Sequence, residues 1–277
     1  MKRKIELCGI YNIKNNLCTE DCKFCAQGIL AKNRGSAKKI TFDAKAIDAA
    51  MRAAENDLTR FGLVASSRGP SPEEVEIVVR IYREIKKRAN IHLCASLGIA
   101  SYEVMKKLKE AGVSRYHCNL ESCKSFFPKL CRSHTYDEKV ETIENAKKAG
   151  LAVCSGMLLG AGESFEDRLE LARELKELSV NSVPINILIP IKGTPLEDNK
   201  VLSEQEIESS ITEIAKILSP EKIRLAGGRI HLKDSGYNLL KHAVSALITG
   251  DMATTAGCRV QNDKAMIKRL SLEQSTR

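Results

Sequence analysis

Three cysteines stand close together near the amino end of the chain, in Cys18-Thr19-Glu20-Asp21-Cys22-Lys23-Phe24-Cys25. Spacings of x3 and x2 let three thiolates converge on one metal centre while the backbone wraps round it. Soft sulfur ligands of this kind select zinc, copper(I) or an iron-sulfur cluster. A structural zinc site wants a fourth Cys or His at ribbon-like spacing, and none follows nearby. Three ligands would leave a [4Fe-4S] cluster with one iron open to bind something else. The chain holds ten cysteines, and its start does not read as an export signal, because Glu6 interrupts the apolar run after Lys2-Arg3-Lys4 and no small-residue cleavage site follows. Such cysteine use points to a reducing cytoplasm, where unusual spacing means metal or redox chemistry rather than disulfides.

A chain of 277 residues suits one large domain or two small ones. With 43% hydrophobic and 29% charged residues and no low-complexity tract, it is a globular sequence rather than a disordered one. The longest apolar stretches, such as Val183 to Ile191, fall well short of the ~20 residues of a membrane span. The net charge of +9 raises nucleic acid or anionic lipid as partners. The pattern argues against both: basic residues are scattered among acidic ones along helix-like segments, as in Arg80, Arg83, Glu84, Lys86, Lys87 and Arg88, and only 4% of residues are aromatic and able to stack on bases.

The elements that must position the cysteines follow from periodicity. Short β-branched runs alternate with amphipathic stretches throughout. Strands are expected at Ile5 to Ile10, Arg60 to Ala65, Ile91 to Ala95, Arg115 to Leu120, Ala152 to Leu158, Ser182 to Leu188, Lys222 to Leu225 and Ala246 to Ile248. Helices are expected at Ala44 to Glu55, Ser71 to Arg88, Tyr102 to Ala111, Tyr136 to Ala149, Phe165 to Leu178, Glu204 to Leu218 and Tyr237 to Ser245, with a last short one after Asn262. Ser71-Pro72-Glu73-Glu74 carries an N-cap with proline in the first turn, and Ala111-Gly112 and Ala149-Gly150 read as helix stops. Eight strand-helix units without a dividing linker predict an α/β chain folded as one (β/α)₈ TIM-type barrel domain over residues 1–277, with an open doubly wound sheet as the runner-up. In a barrel the chemistry belongs at the C-terminal strand ends, and the cysteine loop follows the first strand.

This loop resembles that of the radical S-adenosylmethionine (SAM) enzymes, in which Cys-x3-Cys-x-aromatic-Cys follows the first strand of a barrel. Further segments narrow the resemblance to the biotin synthases over nearly the whole chain. They are Cys18 to Gln27, Tyr116 to Glu121, Thr135-Tyr136, Val153 to Gly156, Gly160 to Glu163, Val183 to Asn186, Lys192 to Leu196, Arg224 to Gly227 and Thr254-Thr255, in that family's order and near its spacing.

The resemblance implies a radical SAM sulfurtransferase that converts dethiobiotin to biotin, with a [4Fe-4S] cluster, SAM and an auxiliary iron-sulfur cluster as cofactors. It also implies a reducing partner such as flavodoxin or ferredoxin, and a homodimer. Residue by residue, Cys18, Cys22 and Cys25 would bind the SAM cluster. Ala65 and Ser66 match the backbone stretch that receives the methionine amino group. Asn119 and Glu121 match positions that hold SAM, the acidic one suited to ribose hydroxyls. Lys139 stands where an Arg is common near the SAM carboxylate, keeping the charge without the bidentate fork. Leu158 and Ile189 match the residues flanking adenine, and Asn119, Asn186, Thr254 and Thr255 match the polar groups around dethiobiotin. His134 reads as a surface or helix-start residue rather than a ligand. Rival readings are another barrel-type radical SAM enzyme, such as a metallocofactor maturase or amino-acid mutase, and a non-catalytic iron-sulfur redox protein.

The chain departs from the family pattern in two respects. The common enzymes carry a further N-terminal helical segment, whereas this sequence begins almost directly on the first strand. They also hold the auxiliary cluster with cysteines on the second, third and fifth strands and an Arg on the seventh. Cys94, Cys154 and Arg224 match three of these positions, but the second-strand position is Gly62. Among the unassigned cysteines, Cys118 should point outward by strand alternation, while Cys123, Cys131 and Cys258 lie in loops beyond strand ends. Cys8 lies within the first strand, beside the second. The expected auxiliary set is therefore Cys8, Cys94 and Cys154 with Arg224, around a four-iron cluster for which Gly62 leaves room. Cys131 is the leading substitute for Cys8.

Overall fold

A computed structural model describes residues 4–250, 257–270 and 273–275. The elements run β1 (Lys4–Lys14), α1 (Ala44–Glu55), β2 (Arg60–Ala65), α2 (Pro72–Arg88), β3 (His92–Ser96), α3 (Tyr102–Glu110), β4 (Val113–His117), α4 (Phe127–Leu130), α5 (Tyr136–Lys148), β5 (Ala152–Cys154), β6 (Met157–Leu159), α6 (Phe165–Glu177), β7 (Val183–Ile187), α7 (Glu204–Leu218), β8 (Ile223–Leu225), α8 (Tyr237–His242), β9 (Ala246–Ile248), α9 (Val260–Arg269) and β10 (Glu273–Gln274). Helix starts follow the local chemistry. Ser71, Thr135, Ser164 and Ser203 each cap a helix through the side chain and in return donate their own N–H to the carboxylate three positions on. Gly112 and Gly150 take φ of +96° and +75° just after α3 and α5, the left-handed stop that Ala111-Gly112 and Ala149-Gly150 predict.

All neighbouring strands are parallel, in the order β5-β4-β3-β2-β1-β9-β8-β7-β6. The two ends of that order are consecutive in the chain. Cys118 N–H donates to Cys154 O at 3.0 Å on one side, and Ser155 N–H to Ser182 O at 2.9 Å on the other. The sheet is thus an α/β barrel of the TIM type, closed through its fifth strand.

That fifth strand differs from expectation: the run Ala152 to Leu158 is interrupted at Ser155-Gly156. Gly156 N–H donates to the Asn119 side chain at 2.9 Å instead of to a strand, and a Cβ on Gly156 would come within 1.9 Å of Pro184 O. Only glycine allows the backbones to approach so closely. β4 also starts two residues earlier than expected and ends at His117, and β1 runs four residues further, to Lys14. β10, which periodicity does not indicate, pairs with Lys4 and Ile5 at the start of β1. The main core lies between barrel and helices and includes Leu7, Leu63, Leu93, Val153, Ile185, Leu225 and Leu247. Among the described residues no helix is long and apolar enough to cross a membrane.

Candidate metal centre and barrel lumen

The cysteine loop leaves β1 at the C-terminal end of the barrel. Its base is tied by reciprocal bonds between Asn15 and Lys38, at 3.0 and 3.1 Å. Within it, Ile29 N–H donates to Glu20 O at 2.9 Å, and a Cβ on Gly28 would stand 2.6 Å from that same oxygen, so the tight wrap requires glycine there. Backbone amides are aimed at two of the sulfurs: Gln27 N–H lies 3.4 Å from Cys25 Sγ, Gly28 N–H joins it, and Glu20 N–H serves Cys18. Burial pushes both thiols up, and these amides oppose it. Donors directed at sulfur suit thiolate ligands, so the loop fits a cluster bound through Cys18, Cys22 and Cys25. The outer side of the loop docks on the turn after α4, where Asp21 Oδ1 accepts the Arg132 and Ser133 amides at 2.9 and 3.0 Å.

Beside the loop lies a cleft of about 240 Å³ lined by Phe24, Glu121, Leu158, Asn186, Ile189 and Gly227, among others. The structure thus brings Glu121, Leu158 and Ile189 together, and the ring of Phe24 joins them from the cysteine loop. Glu121 holds a left-handed φ of +70° and is pushed up by burial, against the pull of Lys139. Lys139 donates to Asn119 O at 2.7 Å, and its ammonium sits 5.7 Å from the centre of the Phe127 ring. Ala65 closes β2 and Ser66 follows it, its N–H donating to Lys14 O at 3.0 Å. Neither lines the cleft.

Below, an internal cavity of about 280 Å³ is lined by Cys8, Cys94, Cys154 and Arg224, with Gly62, Asn119 and Asn186 also in its wall. All four expected auxiliary ligands therefore face one space. A roomier surface hollow of about 450 Å³, between Arg80, Lys87 and Gly112, is lined by none of these residues. Asn119 Oδ1 accepts from Gly156 N–H at 2.9 Å and Asn186 Oδ1 from Gly227 N–H at 3.0 Å, which leaves the two amide NH₂ groups as the donors turned to other partners. Thr254 and Thr255 lie outside the described residues. Cys118 does not line the cavity and is buried in the core against the helices, as strand alternation predicts.

Apart from Arg224, sequence reasoning missed the charged residues in and beside this lumen. Glu6 lies 2.7 Å from Arg224 Nη2, 3.4 Å from Arg60 Nε and 3.6 Å from Arg115 Nη1. Burial would raise its carboxyl, but the three guanidiniums, Arg224 foremost, hold it down at about 2. Arg224 also contacts Cys8 Sγ through Nη1 and Ser182 Oγ at 3.2 Å through Nε. His117 hydrogen-bonds Cys154; against the opposing effect of burial, that bond together with Arg224 and Arg115 brings the thiol down to about 6. Cys8 moves the other way, pushed by burial to about 11 despite Arg224. Three guanidiniums against one carboxylate leave the lumen electropositive, and among the described residues Arg115 Nε and Nη1 are buried without a hydrogen-bond partner. Buried donors without a hydrogen bond, beside three thiols, fit an anionic cluster. The signal for these residues was strand parity: Glu6 shares its face with Cys8, and Arg115 and His117 share theirs with Asn119.

The radical SAM superfamily model matches residues 12–175, and that of the Biotin and Thiamin Synthesis associated domain matches residues 184–273. Biotin synthase of Clostridium botulinum (strain Loch Maree / Type A3) is 45% identical over 270 residues, covering 98% of this chain and 85% of that protein. The chain belongs to the biotin synthase family. Biotin synthase of Acetivibrio thermocellus is 44% identical over 277 residues, 99% of this chain and 85% of that one. Among solved structures, methylornithine synthase superposes on this biotin synthase family member with a TM-score of 0.79 at 17% identity, covering 98% of this chain and 84% of that one. The [FeFe]-hydrogenase maturase of Carboxydothermus hydrogenoformans gives 0.78 at 18%, covering 99% and 68%. These two likenesses show the barrel fold alone.

Two expectations need correction in this family member. Cys131, the substitute considered for Cys8, does not line the lumen; its Sγ lies 3.7 Å from Cys22 Sγ, in the docking turn of the cysteine loop. His134 precedes the α5 cap but is no surface residue. It is 7% exposed, with Nδ1 2.5 Å from Glu20 Oε2 and 3.3 Å from Cys131 Sγ. The loop that carries Glu20 and Asp21 covers it.

Proposed function

We propose that the chain converts dethiobiotin to biotin by radical SAM sulfur insertion, acting in the cytoplasm as one barrel domain over residues 1–277. The observation that carries this reading is the lumen. Three thiols and Arg224 line one cavity with the Asn119 and Asn186 amides, in a barrel whose C-terminal end bears the three-cysteine loop. When bound, SAM on a four-iron cluster supplies an adenosyl radical, and an auxiliary cluster supplies sulfur.

The protein's part is holding, orienting and excluding water. Cys18, Cys22 and Cys25 hold the first cluster, with the Glu20, Gln27 and Gly28 amides bonded to sulfur. Leu158, Ile189 and Phe24 wall the adenine, Glu121 accepts from ribose hydroxyls, and Lys139 offers positive charge toward the SAM carboxylate. The backbone at Ala65 and Ser66 receives the amino group. The NH₂ groups of Asn119 and Asn186, together with Thr254 and Thr255, bind the ureido ring and carboxylate of dethiobiotin, whose polar atoms need paired donors and acceptors. Cys8, Cys94 and Cys154 with Arg224 hold the auxiliary four-iron cluster. Glu6, Arg60 and Arg115 set the charge of its chamber. A reducing protein of the flavodoxin or ferredoxin kind supplies electrons, and the chain works as a homodimer.

The test is anaerobic reconstitution followed by incubation with SAM, a low-potential reductant and dethiobiotin, with products read by mass. Biotin together with 5′-deoxyadenosine is the expected result. 5′-Deoxyadenosine that forms without biotin would move the protein to another substrate. Absence of SAM cleavage would overturn the reading altogether.

A further inference from the structure

Cys131 and His134 lie outside both the lumen and the SAM-side cleft, yet they are buried, polar and assembled around a cluster cysteine. Cys22 Sγ, Cys131 Sγ and a His134 ring nitrogen all fall within 4.8 Å of one another. The separations have a chemical scale. Two thiolates on one tetrahedral ion with metal-sulfur bonds of about 2.3 Å stand about 3.8 Å apart, and a thiolate and an imidazole nitrogen about 3.6 Å apart. Cys22 Sγ and Cys131 Sγ are 3.7 Å apart, and Cys131 Sγ is 3.7 Å from His134 Nε2 and 3.3 Å from Nδ1. By contrast, ligands of a cuboidal cluster sit on different irons at separate corners, so Cys131 is placed to share an ion with Cys22 rather than to add a further corner.

The surroundings suit a metal ligand as well. Glu20 Oε2 takes His134 Nδ1 at 2.5 Å and Ser133 Oγ at 2.8 Å, which fixes the ring and leaves Nε2 as the nitrogen not engaged by that carboxylate. A carboxylate on the far imidazole nitrogen is the usual orienting partner of a metal-bound histidine. Asp21 Oδ1, 3.1 Å from Cys131 Sγ, adds negative charge beside the cation. Cys131 is 4% exposed and His134 7%, so these two ligands are already desolvated.

We propose that, before its cluster is built, the protein binds one thiophilic divalent cation tetrahedrally through Cys22, Cys131 and His134, with water as the fourth ligand. Cys22 also belongs to the expected cluster set, so the single ion and the four-iron cluster exclude one another. Incoming Fe²⁺ meets a first docking point here, and Zn²⁺ held here blocks assembly. The site requires neither SAM nor dethiobiotin, so it stands or falls separately from the enzymatic reading.

The experiment titrates Co²⁺ into the cluster-free full-length protein under anaerobic conditions, following the d–d bands of tetrahedral Co²⁺ and the thiolate-to-metal charge-transfer band. Circular dichroism checks that each variant is folded. The expected result is a tetrahedral spectrum whose affinity falls at least ~10-fold in both Cys131→Ser and His134→Gln. It should persist in Cys18→Ala, which leaves this site intact, and in Cys94→Ala, which alters the lumen. The second substitution, His134→Gln, decides the matter should Cys131→Ser fail to fold. Wild-type affinity in either folded variant overturns the proposal. So does a Cys18→Ala protein as impaired as Cys22→Ala, which would place the ion within the cysteine loop.

Discussion

Gly62 and Cys94 are register partners on β2 and β3, and a Cβ on Gly62 would stand 3.5 Å from Cys94 Cβ. That is ordinary contact, and the φ of Gly62 is outside the left-handed region, so a side chain fits here without strain. Cys8 pairs one layer lower, with Arg60, and reaches the same cavity. If Cys8 supplies the thiolate that position 62 lacks, Cys8→Ala should lose auxiliary iron and sulfide after anaerobic reconstitution. Adding Gly62→Cys should restore the count. Full iron and full biotin formation in Cys8→Ala would remove Cys8 from the ligand set.

The cysteine loop predicts a sharper loss. Cys22→Ala, and likewise Cys18→Ala or Cys25→Ala, should abolish 5′-deoxyadenosine formation while the barrel melts cooperatively. Closure of the barrel lies in the strand ladders and the packed core, not in the loop. Persisting SAM cleavage by the purified Cys22→Ala protein would sink the assignment.

The sequence shows what depends on local period and leaves out what depends on distant approach. The family resemblance marks Cys94 and Cys154, and the place of Cys8 on the strand beside β2 adds it to them; alternation turns Cys118 outward. The same parity places Arg115 and His117 in the lumen wall and turns Glu6 toward Arg224, but a charged residue on a strand reads as surface until its buried partners are seen. The pairing of Cys131 with Cys22 spans 109 positions and that of His134 with Glu20 spans 114, and both exist only because the cysteine loop docks on the turn after α4. No period could signal it. The break at Gly156 is of the same kind, since its cause is the Pro184 carbonyl on a neighbouring strand.

Glu6 makes acid stability measurable. Its carboxyl titrates at about 2 in the folded protein against an ordinary value of 4.5. The stabilisation is therefore fully present above about pH 4.5 and is lost as pH falls through about 2. In the cluster-free protein, Glu6→Gln should cost on the order of 2–3 kcal/mol at neutral pH, because three guanidiniums lose their shared counter-charge. Its denaturation midpoint should vary less with pH between those two values than that of the parent. Parallel acid limbs for the two proteins would show that Glu6 does not carry this linkage.

Asn186 is a wall residue of both the lumen and the SAM-side cleft, so it stands where cofactor and substrate would meet. Its Oδ1 is occupied by Gly227 N–H at 3.0 Å, while Nδ2 reaches Met157 O only at 3.5 Å. The amide is thus anchored through oxygen and presents its NH₂ group as donor, the polarity that a ureido carbonyl requires. Asn186→Ala removes that donor and leaves the substrate oxygen buried without a partner, a cost of about 1–3 kcal/mol in dethiobiotin binding. Asn186→Asp keeps the acceptor for Gly227 but replaces the donor with a carboxylate oxygen, so it should bind dethiobiotin at least as poorly as Asn186→Ala. Equilibrium binding of dethiobiotin to the reconstituted, SAM-loaded variants reads this directly. Wild-type affinity in Asn186→Asp would show that the side chain braces the Gly227 turn and that the substrate is held elsewhere.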